Sequence, residues 1–429
     1  MMLTDGLFSD IELRAVMDAG AQLQAMLRAE AALARAEGRL GIIPEDAAKA
    51  IARTAEDLRP DPERLIAVTA RSGIPAQALV GALKSACGAH GDWVHFGATS
   101  QDIQDTGLVL QLCTALDLIE ARLIGLEAEL ATKASAHAGL TIAARTRFQI
   151  AAPTTLGAKI AVWRAPLSRH LDRLAELRPR LLNVSLYGAA GTGAALAPRM
   201  PEVRRAMADD LGLGAADIPW HAARDAIAEL GGWMALVTGS LGKIGADLIL
   251  LAQSGIGEVT AGTGGGSSTM PQKSNPVAAE ALVSLARLNA GAISTLHQAM
   301  IHAQERDGSA LALEWLVLPE MVIRTGAALR LAQELARTLT PDPVRIDATF
   351  RKDRGAMLAE AAGFYLAHQM PRAEALKIVA TALAEIGRSE TETLAGALAR
   401  LQPGHDWARI LAPGANTGEA GEFSRPTKS

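Results

Sequence analysis

Aromatic side chains are scarce: 6 Trp, 6 Phe and 2 Tyr make up 3% of 429 residues. So small a set offers no stacking platform for single-stranded nucleic acid. Excess charge of either sign is missing too, with 42 Lys+Arg against 46 Asp+Glu and a formal net charge of −4. That balance excludes a binder built on basic patches and a disordered acidic tail. Only two cysteines occur, Cys87 and Cys113, too few for a disulfide framework. They read as small buried thiols in a reducing compartment. No basic-plus-apolar signal segment opens the chain, because Asp5, Asp10 and Glu12 interrupt it at once. No run reaches the ~18 uninterrupted apolar residues of a membrane span. Even the most apolar stretch, Trp233 to Gln253, carries Lys243 and Asp247. HExxH and Cys/His clusters are lacking as well, so no metal is expected. Together these absences predict a cytoplasmic protein that binds neither nucleic acid nor membrane.

What is abundant is Ala, Leu, Ile and Val, within a hydrophobic share of 49%. Ala and Leu favour helices, so an all-α fold is expected. From Gly107 to His137, apolar residues recur at Leu108, Leu112, Leu116, Ile119, Leu123, Leu126 and Leu130. Steps of three and four define one helical stripe, with Gln111, Asp117, Glu127 and Lys133 assigned to the other face. About 30 residues at about 1.5 Å each give a rod of roughly 45 Å. Four further segments behave alike: Thr155 to Leu177 (with a kink expected at Pro166), Leu230 to Gln253, Pro276 to Gln304 and Leu313 to Arg337. The fourth of the five rods is expected to use Asn275 as N-cap and Pro276 as its first helical residue. Rods this long bury enough surface only against one another, which predicts a bundle of five long helices. Three helical domains follow: an N-terminal one over 1–105, the bundle over 106–345 and a small C-terminal one over 346–429.

The segment richest in chemistry runs from Gly262 to Pro276, Gly-Thr-Gly-Gly-Gly-Ser-Ser-Thr-Met-Pro-Gln-Lys-Ser-Asn-Pro. Its glycines and prolines make an exposed loop entering a helix, and its hydroxyls, amide and ammonium can converge on an anion. A Walker A loop fails on two counts. Gln272 stands before Lys273 where glycine is needed, and Pro271 removes a backbone N–H. A second segment, Trp93 to Gly107, places Thr99 and Asp102 at capping-box spacing, with His95 just upstream. A third, Ala144 to Gly157, carries Arg147 and Gln149. A fourth, His302 to Ser309, clusters charge, including Arg306, at the end of a long helix.

Gly266 to Pro276 closely resembles the fumarase/aspartase superfamily signature, Gly-Ser-Ser-x-Met-Pro-x-Lys-x-Asn-Pro, at every fixed position. The second and third segments resemble that superfamily's other two signatures. In adenylosuccinate lyases the third reads Arg-Thr-His-x-Gln-His-Ala, whereas Arg147 and Ile150 replace both histidines here. An arginine stays protonated, so Arg147 binds a carboxylate where an imidazole would exchange protons. Flanking stretches over roughly residues 3 to 370 are similar to 3-carboxy-cis,cis-muconate cycloisomerases. Among them are Leu7-Phe8-Ser9-Asp10, Trp163-Arg164-Ala165-Pro166-Leu167 and Leu313-Glu314-Trp315.

The resemblance implies a cycloisomerase that closes 3-carboxy-cis,cis-muconate to 4-carboxymuconolactone, in protocatechuate breakdown by the beta-ketoadipate route. It implies no cofactor, a tricarboxylate substrate, and a homotetramer with active sites shared between subunits. Carried over by position, Ser267 transfers the proton. Lys273 and Asn275 hold the carboxylate that gathers enediolate charge. Thr99 and Ser100 bind a second carboxylate, Arg147 and Gln149 a third. His95 orients substrate or shuttles the proton, and Arg306 is a secondary contact. The competing readings are a fumarate-releasing lyase like adenylosuccinate lyase and a non-catalytic, crystallin-like structural protein.

Overall fold

The computed structural model describes residues 3–266 and 269–425. Helices dominate the described residues. In chain order they include α1 (Ala19–Arg39), α2 (Glu45–Asp57), α3 (Pro75–Ala86), α4 (Ser100–Ala136), α5 (Leu156–Leu181), α6 (Met200–Leu211), α7 (Asp225–Ala252), α8 (Val277–Ala299) and α9 (Gly308–Thr338). Shorter helices follow, among them α10 (Pro343–Asp353), α11 (Ala359–Ala367), α12 (Arg372–Arg388) and α13 (Leu394–Leu401). The five long rods are α4, α5, α7, α8 and α9, of 37, 26, 28, 23 and 31 residues.

Their apolar stripes are the reason they form. On α4, Leu112, Leu116, Ile119, Leu123, Leu126 and Leu130 are fully buried. On α7 the same holds for Leu230, Met234, Val237, Leu241 and Ile244. Full burial of one such side chain contributes roughly 1.5–3 kcal/mol, so packing outweighs intrinsic propensity in fixing these rods. Gln111 departs from its expected place on the polar face of α4. It is buried, and its Nε2 donates to the Val16 carbonyl at 2.8 Å, which satisfies the amide inside the fold. Pro166 does not end α5, which stays helical to Leu181. By length and composition α7 and α8 are apolar enough to cross a membrane, although half of the α7 segment concerned is buried inside the fold.

Helix ends differ from the expected ones, for local reasons. α4 does start where the capping-box spacing of Thr99 and Asp102 places it, at Ser100, and the Asp102 carboxylate accepts the Thr99 N–H at 3.0 Å. α8 begins at Val277, so Asn275 is not its N-cap; Asn275 is instead committed to a short strand. The same helix ends at Ala299, and the charged segment from His302 is a loop. Asp307 in that loop accepts the N–H groups of Ala303 and Ser309 and the Ser309 hydroxyl, and so starts α9 at Gly308.

The chain forms two compact units, and each takes a stretch from every long helix. Unit one comprises residues up to Leu123, Arg169–Gly242 and Ser284–Arg330. Its N-terminal core joins α1, α2 and α3 to α6 through Met26, Leu33, Ile51, Leu79, Val203 and Met207. Unit two comprises Ile124–Ser168, Lys243–Val283 and the residues from Leu331 onward. There α11, α12 and α13 close around Leu366, Val379, Leu398 and Trp407.

Among the antiparallel strand pairs of unit two, two frame segments expected in the site. β1 (Thr141–Thr146) pairs with β2 (Gln149–Thr155), leaving Arg147 and Phe148 as the turn. β3 (Gly265–Gly266) pairs with β4 (Ser274–Asn275), and the signature loop lies between them. Neither pair was expected from a purely helical pattern.

Candidate active site

In unit one the first signature segment is organised around a buried carboxylate. Asp102, on the first turn of α4, has no solvent exposure. Its Oδ1 accepts from His221 Nε2 at 2.7 Å, Tyr187 N at 3.0 Å and Ser185 Oγ at 3.2 Å. Its Oδ2 accepts from Thr99 N and Gly188 N at 3.0 and 2.9 Å. Three chain segments are thereby held against the start of α4. Hydrogen bonds to a charged group are worth about 1.5–3 kcal/mol each, so this network fixes the backbone of Thr99 and Ser100 firmly.

The Thr99 hydroxyl accepts from Arg306 Nη1 at 2.8 Å. Two residues separated by 207 positions, both expected in the site, are therefore in contact. Asp307 beside Arg306 is pushed down to about 2, first by the Ser309 hydroxyl and then by the backbone N–H groups of Ala303 and Ser309. That carboxylate is the anchor that shapes the loop carrying Arg306.

His95 lies just before this helix start with φ +63. Its Nδ1 is 2.6 Å from Oε1 of Glu30, a carboxylate on α1 that is 1% exposed. Burial alone lowers the imidazole pKa. The Glu30 carboxylate, with Asp102 adding to it, outweighs burial, and the net direction is upward. His95 is thus biased toward the imidazolium, the form suited to an anion.

A second buried charge cluster lies one helical turn along α4. Arg224 is 1% exposed and donates to both oxygens of Asp105, at 2.9 and 3.0 Å. It also donates to both oxygens of Glu314 on α9, at 2.8 and 2.5 Å. One guanidinium satisfying two buried carboxylates is a framework element.

Unit two carries the other expected residues. Arg147 and Phe148 form the β1–β2 turn with φ +50 and +67. Left-handed values at both central residues suit a tight two-residue hairpin, but that turn normally recruits Asn-Gly or Gly-Gly. Holding two bulky residues so costs on the order of 1–3 kcal/mol each, the kind of strain that gathers at functional positions. Arg147 and Gln149 are exposed at the tip. The base of the hairpin is tied down: Arg145 makes a two-pronged ion pair with the buried Glu258, at 2.6 and 2.9 Å, and Thr349 donates to Glu258 at 2.6 Å.

The signature loop is also a hairpin. Gly265 pairs with Asn275 and Gly266 with Ser274, which closes the loop at its neck. Gly264 has φ +69, which favours glycine, and a Cβ there would stand 2.2 Å from Ser274 Oγ and force that hydroxyl to turn away. Within the loop the Lys273 N–H donates to the Met270 carbonyl at 3.0 Å. Lys273 is exposed and Asn275 half-buried. Ser267 follows directly on β3 and lies outside the described residues.

The structure thus groups His95, Thr99, Ser100 and Arg306 in unit one, and Arg147, Gln149, Lys273 and Asn275 in unit two. Among the described residues no group of three or more His, Cys, Asp and Glu side chains is placed to hold a metal ion. Sequence reasoning missed Glu30, His221 and Arg224. For Glu30 a signal existed, since it and Glu37 interrupt the Ala- and Leu-rich sequence of α1 with carboxylates.

These features meet their counterparts in known proteins. A family model described as "Lyase" matches residues 4–289. The chain is 41% identical to a 3-carboxy-cis,cis-muconate cycloisomerase from Pseudomonas aeruginosa over 431 aligned positions, covering 97% of this chain and 94% of that protein. It is 36% identical to an N-acetyl-S-(2-succino)cysteine lyase from Dickeya dadantii, over 83% of this chain and 79% of that one. The crystal structure of 3-carboxy-cis,cis-muconate lactonizing enzyme from Pseudomonas putida superposes with a TM-score of 0.93 at 38% identity, covering 98% and 97% of the two chains. Long rods, signature loop and near full-length likeness point the same way, and the chain belongs to the lyase family of the fumarase/aspartase superfamily, as an all-α enzyme.

Proposed function

We propose that this enzyme catalyses the lactonisation of 3-carboxy-cis,cis-muconate to 4-carboxymuconolactone. The observation that carries the reading is the replacement of the lyase histidine by Arg147, held at a strained hairpin tip, in a chain 41% identical to a cycloisomerase over nearly its whole length. A fixed cation there serves a substrate that keeps all its carboxylates. A lyase that expels an amine or thiol has more use for a proton donor at that place.

In the proposed reaction a carboxylate oxygen of the substrate attacks the neighbouring alkene carbon and forms the lactone C–O bond. The alkene electrons move into the adjacent carboxylate as an enediolate, and a proton delivered to carbon returns them. Nothing is released. Enediolate charge is the quantity to stabilise, and Lys273 and Asn275 are the groups assigned to it. Thr99 and Ser100, at the rigid start of α4, take a second carboxylate with Arg306. Arg147 and Gln149 take the third. Ser267 moves the proton, and His95 as imidazolium orients the substrate. Because the assigned residues come from segments far apart in sequence, the reading includes a homotetramer whose active sites combine residues of different subunits. It also places the enzyme in the cytoplasm.

The direct test follows the diene absorbance of 3-carboxy-cis,cis-muconate on incubation with the enzyme. Loss of absorbance with lactone as sole product is expected. Unchanged absorbance, together with fumarate released from adenylosuccinate, overturns the reading in favour of a lyase. Gel filtration tests the assembly: an active species of monomer size would remove the shared site.

A further inference from the structure

The contact between His95 and Glu30 spans 65 residues and involves a carboxylate outside every signature segment. Glu30 is 1% exposed and lies among alanines and leucines of α1. Burying a carboxylate is costly unless it has a fixed task, and its neighbour His95 holds a left-handed φ. Nδ1 of His95 is engaged by Glu30, while among the described residues Nε2 makes no hydrogen bond. The second oxygen of Glu30 is buried without a partner, and so is Oε1 of Glu37, two turns along the same helix. Burial, and then Glu30, push Glu37 up to about 9, so Glu37 holds a proton at neutral pH. The other groups acting on His95 are Asp102 on α4, which favours the imidazolium, and Lys84 on α3, which opposes it.

We propose that Glu30 is a positioning residue for the reaction: its carboxylate accepts a hydrogen bond from Nδ1–H of His95 and fixes the ring with Nε2–H free for a substrate carboxylate. This rests on His95 belonging to the active site, as proposed above. The logic is that of a buried carboxylate holding an imidazolium in one orientation with its second N–H free to donate.

The test compares five variants in the 3-carboxy-cis,cis-muconate assay across pH. Glu30→Gln is expected to lower kcat/KM on the order of 10²-fold. It should also shift the basic limb of the profile to lower pH, since the imidazolium loses its counter-charge. Glu30→Asp keeps the charge at longer reach, so it should retain the limb and lose about 10-fold in rate. Glu37→Gln, which mimics the protonated acid, should stay within about twofold of wild type. The double variant Glu30→Gln with His95→Gln should be no slower than His95→Gln alone. A Glu30→Gln enzyme with normal kcat/KM and an unshifted limb overturns the proposal, and so do losses that multiply in the double variant. If Glu30→Gln does not fold, Glu30→Asp at full kcat/KM overturns it instead. A fully active His95→Gln enzyme refutes the placement of His95 itself, an outcome separate from failure at Glu30 alone.

Discussion

Arg306 Nη1 lies 2.8 Å from the Thr99 hydroxyl, and this one contact joins the loop after α8 to the N-terminus of α4. Both partners sit where anion-binding groups were assigned, and a guanidinium paired with a mere hydroxyl retains most of its capacity for a carboxylate. Arg306→Ala is therefore expected to raise KM about 10- to 100-fold, equivalent to losing one charge-assisted contact. Thermal unfolding should barely move, because the pair is exposed. Steady-state kinetics beside a melting curve check this, and an unchanged KM removes Arg306 from the site.

Arg224 leads to the opposite expectation. With Asp105 and Glu314 on either side and almost no exposure, it neutralises two buried carboxylates at once. Arg224→Met leaves those carboxylates uncompensated and should cost about 3–5 kcal/mol in denaturant unfolding. The exposed pair Arg180–Glu229 provides the contrast, and Arg180→Ala should leave the denaturation midpoint close to that of wild type. Similar losses in the two variants would refute the framework role of Arg224.

His170 makes stability depend on acid. Burial first, then Arg173 and Arg169, lower its pKa to about 4, while Nε2 contacts Ser240 Oγ at 2.9 Å. In the unfolded chain the ring takes up its proton near pH 6.5. Between those values the unfolded state binds more protons, so stability rises with pH. The contribution is complete above about pH 6.5 and is lost progressively as pH falls to about 4. Chemical denaturation at pH 7 and pH 4.5 should show this drop in wild type and a smaller one in His170→Gln. Equal drops would exclude His170 as its source.

The rods were legible because their signal is repetitive. Leu112 to Leu130 on α4 and Leu230 to Leu251 on α7 recur over many turns, and nearly every expected stripe residue is buried. Their ends were less legible. α8 starts past Asn275 and stops at Ala299 because a strand pair and the Asp307 turn compete locally for the same residues. The hairpin at Arg147 and Phe148 gave no turn signal, since neither residue normally takes a positive φ. Of the site, the segments were legible as motifs, whereas their supports were not. Glu30 meets His95 across 65 residues and His221 meets Asp102 across 119, and such contacts leave no local period to detect.

Asp102 also limits how this enzyme can change. Its two oxygens accept from the side chains of Ser185 and His221 and from the backbone N–H groups of Thr99, Tyr187 and Gly188, so a change at Asp102, Ser185 or His221 disturbs the geometry set for the others. These positions form a linked group in which variation must be concerted. The hairpin tip at Arg147 carries no such shared obligation. A descendant acquiring a new substrate has its open route there, and an engineer choosing positions for a library should randomise the tip and leave the neighbourhood of Asp102 alone.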